Sequence, residues 1–113
     1  MSGRASAVYR VTVEVAPEAE KAWAQWMVEE HVPAVLRVGR FLGVTRWKDQ
    51  ARAADGWARY VLHYRAEALA VVDAYQRSTE TAGLRDDYLA RFGKVTRLER
   101  SVLVEPTFIG SQS

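Results

Sequence analysis

Alternating apolar and polar side chains mark two segments of this chain. Residues 8–15 and residues 57–64 place an apolar side chain at every second position, which is typical of a strand with one buried face. The apolar side carries Tyr9, Val11, Val13, Val15, Ala58, Tyr60, Leu62 and Tyr64. Residues 41–48 and 95–104 are predicted as two further strands, the last with a less regular pattern. We expect the apolar sides to face a layer of helices.

Apolar residues recur at steps of three and four between these strands and predict two helical regions. The first starts at Pro17, because a proline at the first helical position loses no needed hydrogen bond. Pro33 should kink or break this helix near His31, and Gly39 should close the segment in a left-handed conformation. The second region is predicted to be interrupted around residues 78–81 and to end at Gly93.

The order strand, helix, strand, strand, helix, strand predicts an α+β fold of the ferredoxin-like type. Right-handed crossovers then place the four antiparallel strands in the order 4-1-3-2, with both helical regions on one face. We expect residues 8–104 to form this domain, preceded by a flexible segment, 1–7, and followed by a C-terminal tail, 105–113.

The opposite face of the predicted sheet carries charged side chains. In one antiparallel register Glu14 opposes Arg59 and Arg10 opposes His63, and only the first rung is a charge match. Two interpretations stay open, a solvated face and a face covered by a second copy of the chain. The candidate dimer face comprises Arg10, Glu14, Arg59, His63, Arg97 and Glu99.

Composition narrows the classes of function. The 113 residues include no cysteine, which excludes disulfides, thiolate metal sites and a cysteine nucleophile. No apolar run is long enough to span a membrane and no secretory signal is recognisable, so we expect a cytoplasmic protein.

The net charge is +2, with acids and bases dispersed along the chain, which argues against nucleic-acid binding. Residues 56–61 partly imitate an RNA-recognition motif, but Asp55 and Arg59 stand where a basic and an aromatic residue belong.

The motif Trp23-x-x-Trp26-Met27-x-x-Glu30-His31-x-Pro33, together with residues 91–95, resembles a small bacterial family of unknown function in the dimeric α/β-barrel superfamily. The resemblance covers roughly residues 8–104. It implies two ferredoxin-like units pressing their sheets into a barrel, with a pocket between sheet and helices in each subunit. Members include cofactor-independent monooxygenases, lactone isomerases, EthD-like proteins and haem-degrading enzymes. The His-x-Pro segment at His31 is similar to that of the EthD-like group.

His31 is the candidate catalytic residue, because an imidazole beside aromatic side chains suits general acid–base chemistry. The candidate ligand-binding residues are Trp23, Trp26, Tyr60 and Tyr64. Alternatively His31 caps helix carbonyls, bonds Tyr64 or meets solvent. No metal site is predicted, since adjacent Glu29, Glu30 and His31 diverge around a helix. No cofactor is expected, with haem on His31 left open.

Two functional hypotheses follow from these residues and from the resemblance. The first is a homodimeric, cofactor-independent enzyme of monooxygenase or isomerase type that acts on a small aromatic or enolisable substrate. The second is a non-catalytic dimer that binds a small molecule or a partner protein.

Overall fold

The computed structural model describes residues 4–110, which contain four antiparallel strands, four α-helices, a 3-10 turn at Pro17–Ala19 and a π-helical turn at Met27–His31. The predicted N-terminal segment 1–7 and tail 105–113 lie partly outside these residues. The strands are β1 (Ala7–Val15), β2 (Gly43–Lys48), β3 (Ala58–Ala66) and β4 (Thr96–Val104). The helices are α1 (Glu20–Trp26), α2 (Val32–Gly39), α3 (Leu69–Arg77) and α4 (Thr79–Phe92).

The strand order is β2-β3-β1-β4, which confirms the predicted sheet and the α+β class. The register is also the expected one, with Glu14 opposite Arg59 and Arg10 opposite His63. Register follows from alternation here, because a slip of one residue would exchange the buried and exposed faces of every strand.

The core lies between the sheet and the helices. Val13, Val15 and Ala58 are fully buried there, and β3 alternates without exception between buried and partly exposed residues. Tyr60 therefore points to the helices and Arg59 to the opposite face, as the alternation predicts.

The helix containing Pro33 does not break. Instead α1 continues through a π-helical turn, Met27–His31, into α2. Proline lacks the N–H of a regular helix and its ring crowds the preceding turn, and a widened turn relieves both problems. The backbone N–H of Val32 accordingly bonds the carbonyl of Met27, five residues earlier. The predicted disruption is thus a local change of pitch.

Gly39 does not adopt the left-handed conformation expected of it. Arg40 does, with φ at 53°, and Gly39 is the last residue of α2. The reason for glycine is steric, because a Cβ atom at position 39 would overlap the ring of buried Phe41. The glycine allows the chain to turn tightly from α2 towards β2.

The second helical region divides at Ser78, which lies between α3 and α4. Its hydroxyl accepts a hydrogen bond from the backbone N–H of Glu80 at 3.1 Å, which caps the new helix. The interruption falls within the predicted range. None of the helices formed by residues 4–110 has the length and apolar character needed to cross a membrane.

Candidate functional site

A small cavity lies between the sheet and the helices. Its floor is formed by β1, β3 and β4, and its walls by the π-turn, α2, α3 and α4. The cavity volume is about 40 Å³, which exceeds the ~10–15 Å³ that one water needs but is far below the ~150 Å³ of a cavity that holds a benzene. Leu89, which is 58% exposed, and Arg100 lie at its outer edge. As shaped here, the cavity accepts a small polar group.

His31 reaches this cavity from the last residue of the π-turn. Met27, His31 and Val35, each four positions apart, all line the cavity. The imidazole stacks on Trp26, with ring centroids 5.1 Å apart and planes inclined by 25°. Tyr88 lies on another side at 5.3 Å. The two aromatic neighbours hold the imidazole in place and leave it exposed to the cavity.

Burial lowers the pKa of His31 to about 4, because the charged imidazolium loses water on entering this apolar environment. The negative charge of Asp87 opposes this effect and the positive charge of Arg100 adds to it. At neutral pH the ring is therefore uncharged and has a nitrogen able to accept a proton.

Three tyrosines, Tyr9, Tyr64 and Tyr75, line the same cavity as His31. Their rings pack with Phe41, and Tyr9 meets Tyr75 edge to face at 5.5 Å. Within residues 4–110, the hydroxyl of Thr81 is the only fully buried side-chain polar atom without a hydrogen-bond partner. The three tyrosine hydroxyls are therefore accessible to a water-sized molecule. Burial raises the pKa of Tyr75 to about 12 and raises that of Tyr64 further. Both phenols are thus neutral hydrogen-bond donors at physiological pH.

Tyr88 is already engaged in hydrogen bonding. The indole N–H of Trp23 donates to its hydroxyl at 3.0 Å, and that hydroxyl donates to Thr96 Oγ1 at 3.0 Å. Thr96 in turn donates to the carbonyl of Phe92. This buried chain joins α1, α4 and β4 beside the cavity, so it fixes the walls between which His31 lies.

The candidate ligand-binding residues separate into different places. Tyr64 lines the cavity, and Trp26 stacks behind His31. Trp23 and Tyr60 pack against each other at 4.9 Å, outside the cavity. The Tyr60 hydroxyl donates a hydrogen bond to the carboxylate of Glu20 at 2.7 Å. The same carboxylate also pairs with Lys48 at 2.7 Å. The structure thus brings His31 and Tyr64 to one cavity and places Trp23 and Tyr60 in the neighbouring core.

Two arginines that the sequence analysis did not select also line the cavity, Arg85 from α4 and Arg100 from β4. A signal for Arg100 was present in the alternation. It shares the helix-facing side of β4 with Leu98 and Val102, because Arg97, Glu99 and Ser101 face the other way. Arg85 gave no comparable signal, since its approach to the cavity depends on how α4 packs.

The candidate dimer face forms one surface on the far side of the sheet. Glu14 lies at its centre and pairs with Arg59 at 3.0 Å and with Arg97 at 2.9 Å. Arg97 also pairs with Asp55 at 2.9 Å and lies 3.9 Å from the ring centroid of Trp57. Arg10 and Glu99 line the same open depression of about 610 Å³. His63 belongs to this face through its pairing with Arg10.

The cavity does not fit a haem group. Pockets for drug-sized ligands and cofactors usually measure ~300–1,000 Å³, whereas the cavity beside His31 measures about 40 Å³. No cluster of three or more histidine, aspartate or glutamate side chains suited to a metal ion occurs in the described part of the chain.

Solved structures with the same fold come from several organisms. An EthD family protein from Bacillus halodurans matches with a TM-score of 0.66 at 14% identity, over 88% of this chain and 99% of that one. A provisionally assigned antibiotic biosynthesis monooxygenase from Deinococcus radiodurans matches with a TM-score of 0.66 at 13% identity, over 95% and 99%. A dimeric ferredoxin-like protein from an uncultured marine organism matches with a TM-score of 0.67 at 13% identity, over 94% and 100%. At such identities these likenesses establish the ferredoxin-like fold.

No functionally curated protein is detectably similar to this sequence. One family model does match, described as the domain of unknown function DUF4286, and it aligns with residues 6–105. Because this alignment covers almost the whole chain, the protein belongs to the DUF4286 family.

Proposed function

We propose that this protein is a cofactor-independent enzyme that moves a proton on a small enolisable molecule, with His31 as the general base. The observation that carries the proposal is the uncharged imidazole of His31 facing a cavity that also holds the neutral phenols of Tyr64 and Tyr75. A base and hydrogen-bond donors around one small space are the groups that enolisation requires.

The reaction begins when the carbonyl end of a small substrate enters the cavity from its outer edge, where Leu89 and Arg100 lie. The imidazole of His31 accepts a proton from the carbon next to the carbonyl, and the electron pair of that C–H bond moves to form an enolate. A phenol of Tyr64 or Tyr75 donates a hydrogen bond to the enolate oxygen. The imidazolium then returns the proton to the enolate oxygen, which gives the enol and completes a keto–enol isomerisation.

The same first step would precede reaction of an enolate with molecular oxygen in a monooxygenase of this fold. The likeness to the Deinococcus radiodurans protein is consistent with that route. Because the residues lining the cavity account for proton transfer alone, isomerase-type chemistry is the form that we propose.

Hydrogen–deuterium exchange at the methyl group of pyruvate, followed by proton NMR in D₂O, tests the proton transfer. Pyruvate is small, and its methyl protons exchange only through an enolate. We expect the parent protein to accelerate the exchange and His31→Gln to reduce this acceleration by about 10²-fold or more, the usual contribution of a positioned base.

His63→Gln is the matched control, because it removes the other histidine from the opposite face of the sheet. Equal exchange with the parent and with His31→Gln would contradict the proposal, as would a parent that gives no acceleration. Pyruvate bound by a parent that does not accelerate exchange would instead support a non-catalytic binding protein.

We also propose that the protein is a homodimer in which two copies join their charged sheet faces. The similar ferredoxin-like protein that is described as dimeric supports a dimer. The face also carries Trp47 and Leu103, which are 59% and 41% exposed. A second copy on this side would cover such side chains, which are costly to leave in water.

Arg59→Glu tests the dimer. The new carboxylate would lie directly opposite Glu14 and repel it. The substitution would also change the charge pattern of the faces that join in the dimer. We expect the dimer to dissociate at concentrations roughly tenfold higher than for the parent, measured by sedimentation velocity. Arg37→Glu on the helical side has the same change of charge and should leave assembly unchanged. A parent that sediments as a monomer throughout would refute the proposal.

A further inference from the structure

The charged residues lining the cavity all have the same sign. They are Arg85 and Arg100, and no aspartate or glutamate is among the residues that line it. Apart from these two guanidinium groups, the walls consist of apolar and aromatic side chains and His31. The electrostatic character of the cavity is therefore set by two arginines.

The positive charge of these arginines is not neutralised by the protein. Within residues 4–110, neither Arg85 nor Arg100 lies within 4 Å of a carboxylate oxygen in an ion pair. The acid that acts on His31, Asp87, is itself paired with Arg91 at 3.1 Å. Other arginines of this chain, such as Arg59 and Arg97, do have carboxylate partners. Exposed arginines such as Arg37 also lack an ion pair within residues 4–110, but only Arg85 and Arg100 line this cavity, so its positive charge is available to a ligand.

The position of Arg100 in β4 is informative because this side of the strand faces the helices. Its register partner in β1 is Val11, a core residue. A cation in such a row is tolerated when its long stem covers apolar surface and its charged end reaches water. Arg100 is exposed, so its guanidinium lies at the rim rather than in the core. Arg85 is half-buried on the opposing helix.

We propose that Arg85 and Arg100 bind a carboxylate of the substrate at the mouth of the cavity and so direct its reacting carbon towards His31. The inference rests on the proposed function and adds the class of substrate, a small keto acid or related carboxylate. A guanidinium presents a planar fork of donors that matches a carboxylate, and two of them can hold one anion in a defined orientation.

Binding of an anion to Arg100 would also change the pKa of His31. The positive charge of Arg100 helps to keep the pKa of His31 low, beside the main effect of burial. A carboxylate bound to Arg100 compensates that charge and raises the pKa of His31 towards the working pH, where a general base is most effective. Tyr64, Tyr75 and Tyr88 also face the cavity and stay neutral.

The test compares propionate with propionamide, which have similar shapes and differ in charge. The measurement is NMR titration of the ring protons of His31 in a His63→Gln background, where His31 is the sole histidine. We expect propionate, which is ionised at pH 7, to bind at that pH and to shift the ring-proton signals of His31, and propionamide to bind at least about tenfold more weakly. Arg85→Gln with Arg100→Gln should weaken propionate binding about tenfold or more.

A matched control is Arg4→Gln with Arg37→Gln, which removes the same charge from exposed positions outside the cavity. It should keep propionate binding within about twofold of the parent. Equal binding of propionate and propionamide, or equal losses in both double variants, would overturn the inference, as would the absence of propionate binding.

The experiment separates the two proposals. If propionate binds through the arginines but His31→Gln leaves pyruvate exchange unchanged, carboxylate recognition stands and the catalytic proposal fails. If exchange depends on His31 but Arg85→Gln with Arg100→Gln leaves propionate binding intact, the catalytic proposal stands and the inference about the carboxylate fails.

Discussion

The half-buried imidazole of His31 should make the stability of this protein depend on pH in a defined range. The pKa of His31 is about 4 in the folded protein, mainly through burial, against 6.5 for an ordinary histidine. Below pH 6.5 the unfolded chain binds a proton at this residue, whereas the folded chain does so only near pH 4. The unfolded state is therefore favoured as the pH falls from about 6.5 to about 4.

The magnitude follows from the two pKa values. Each pKa unit corresponds to about 1.4 kcal/mol, so the stability contributed by His31 above pH 6.5 and lost by pH 4 is at most about 3 kcal/mol. This is a sizeable part of the 5–15 kcal/mol that is typical of whole domains. By pH 4.5 roughly 2 kcal/mol of it should be gone.

His31→Gln removes the titrating group. Urea unfolding followed by tryptophan fluorescence at pH 7 and pH 4.5 gives the free energy of unfolding of parent and variant. We expect the parent to lose roughly 2 kcal/mol more than the variant between the two pH values, whatever the variant's stability at pH 7. Carboxylates such as Glu20 titrate in both proteins, so their effect cancels in the comparison.

His63→Gln is the control and should retain the contribution of His31. If parent and His31→Gln lost the same free energy between pH 7 and pH 4.5, the imidazole could not be held neutral by its surroundings. The account of His31 as an uncharged base would then be refuted.

Two further predictions concern packing and the buried hydrogen bonds. Gly39→Ala should destabilise the protein by about 1–3 kcal/mol, because its Cβ would overlap the ring of Phe41, whereas Gly83→Ala in open space within α4 should stabilise it by about 0.5–1 kcal/mol. Thermal unfolding checks both, and a harmless Gly39→Ala would contradict the steric explanation. Tyr88→Phe should cost about 1–3 kcal/mol in urea unfolding, because it leaves the indole N–H of Trp23 without its acceptor. An unchanged midpoint would show that this bond contributes little.

The alternation of side chains was enough to predict the two central strands of the sheet and their register. Because successive residues of a strand point to opposite faces, the sequence alone placed Tyr60 in the core and Arg59 outside, and paired Glu14 with Arg59. Right-handed crossovers then left one strand order. These features depend on local periodicity and chain connectivity, which a sequence contains in full.

The details of the cavity depend on how elements pack, and periodicity says little about that. Pro33 is accommodated by a π-turn because α1 and α2 pack as one continuous helix, and the turn brings His31 to the cavity. Trp23 and Tyr60 pack against each other and not against the cavity. Their spacing along helix and strand is nevertheless the same as that of residues that do line it. The positive charge of the cavity also depends on tertiary packing. Arg85 lies in α4 and Arg100 in β4, and both line one cavity only when α4 packs on the sheet.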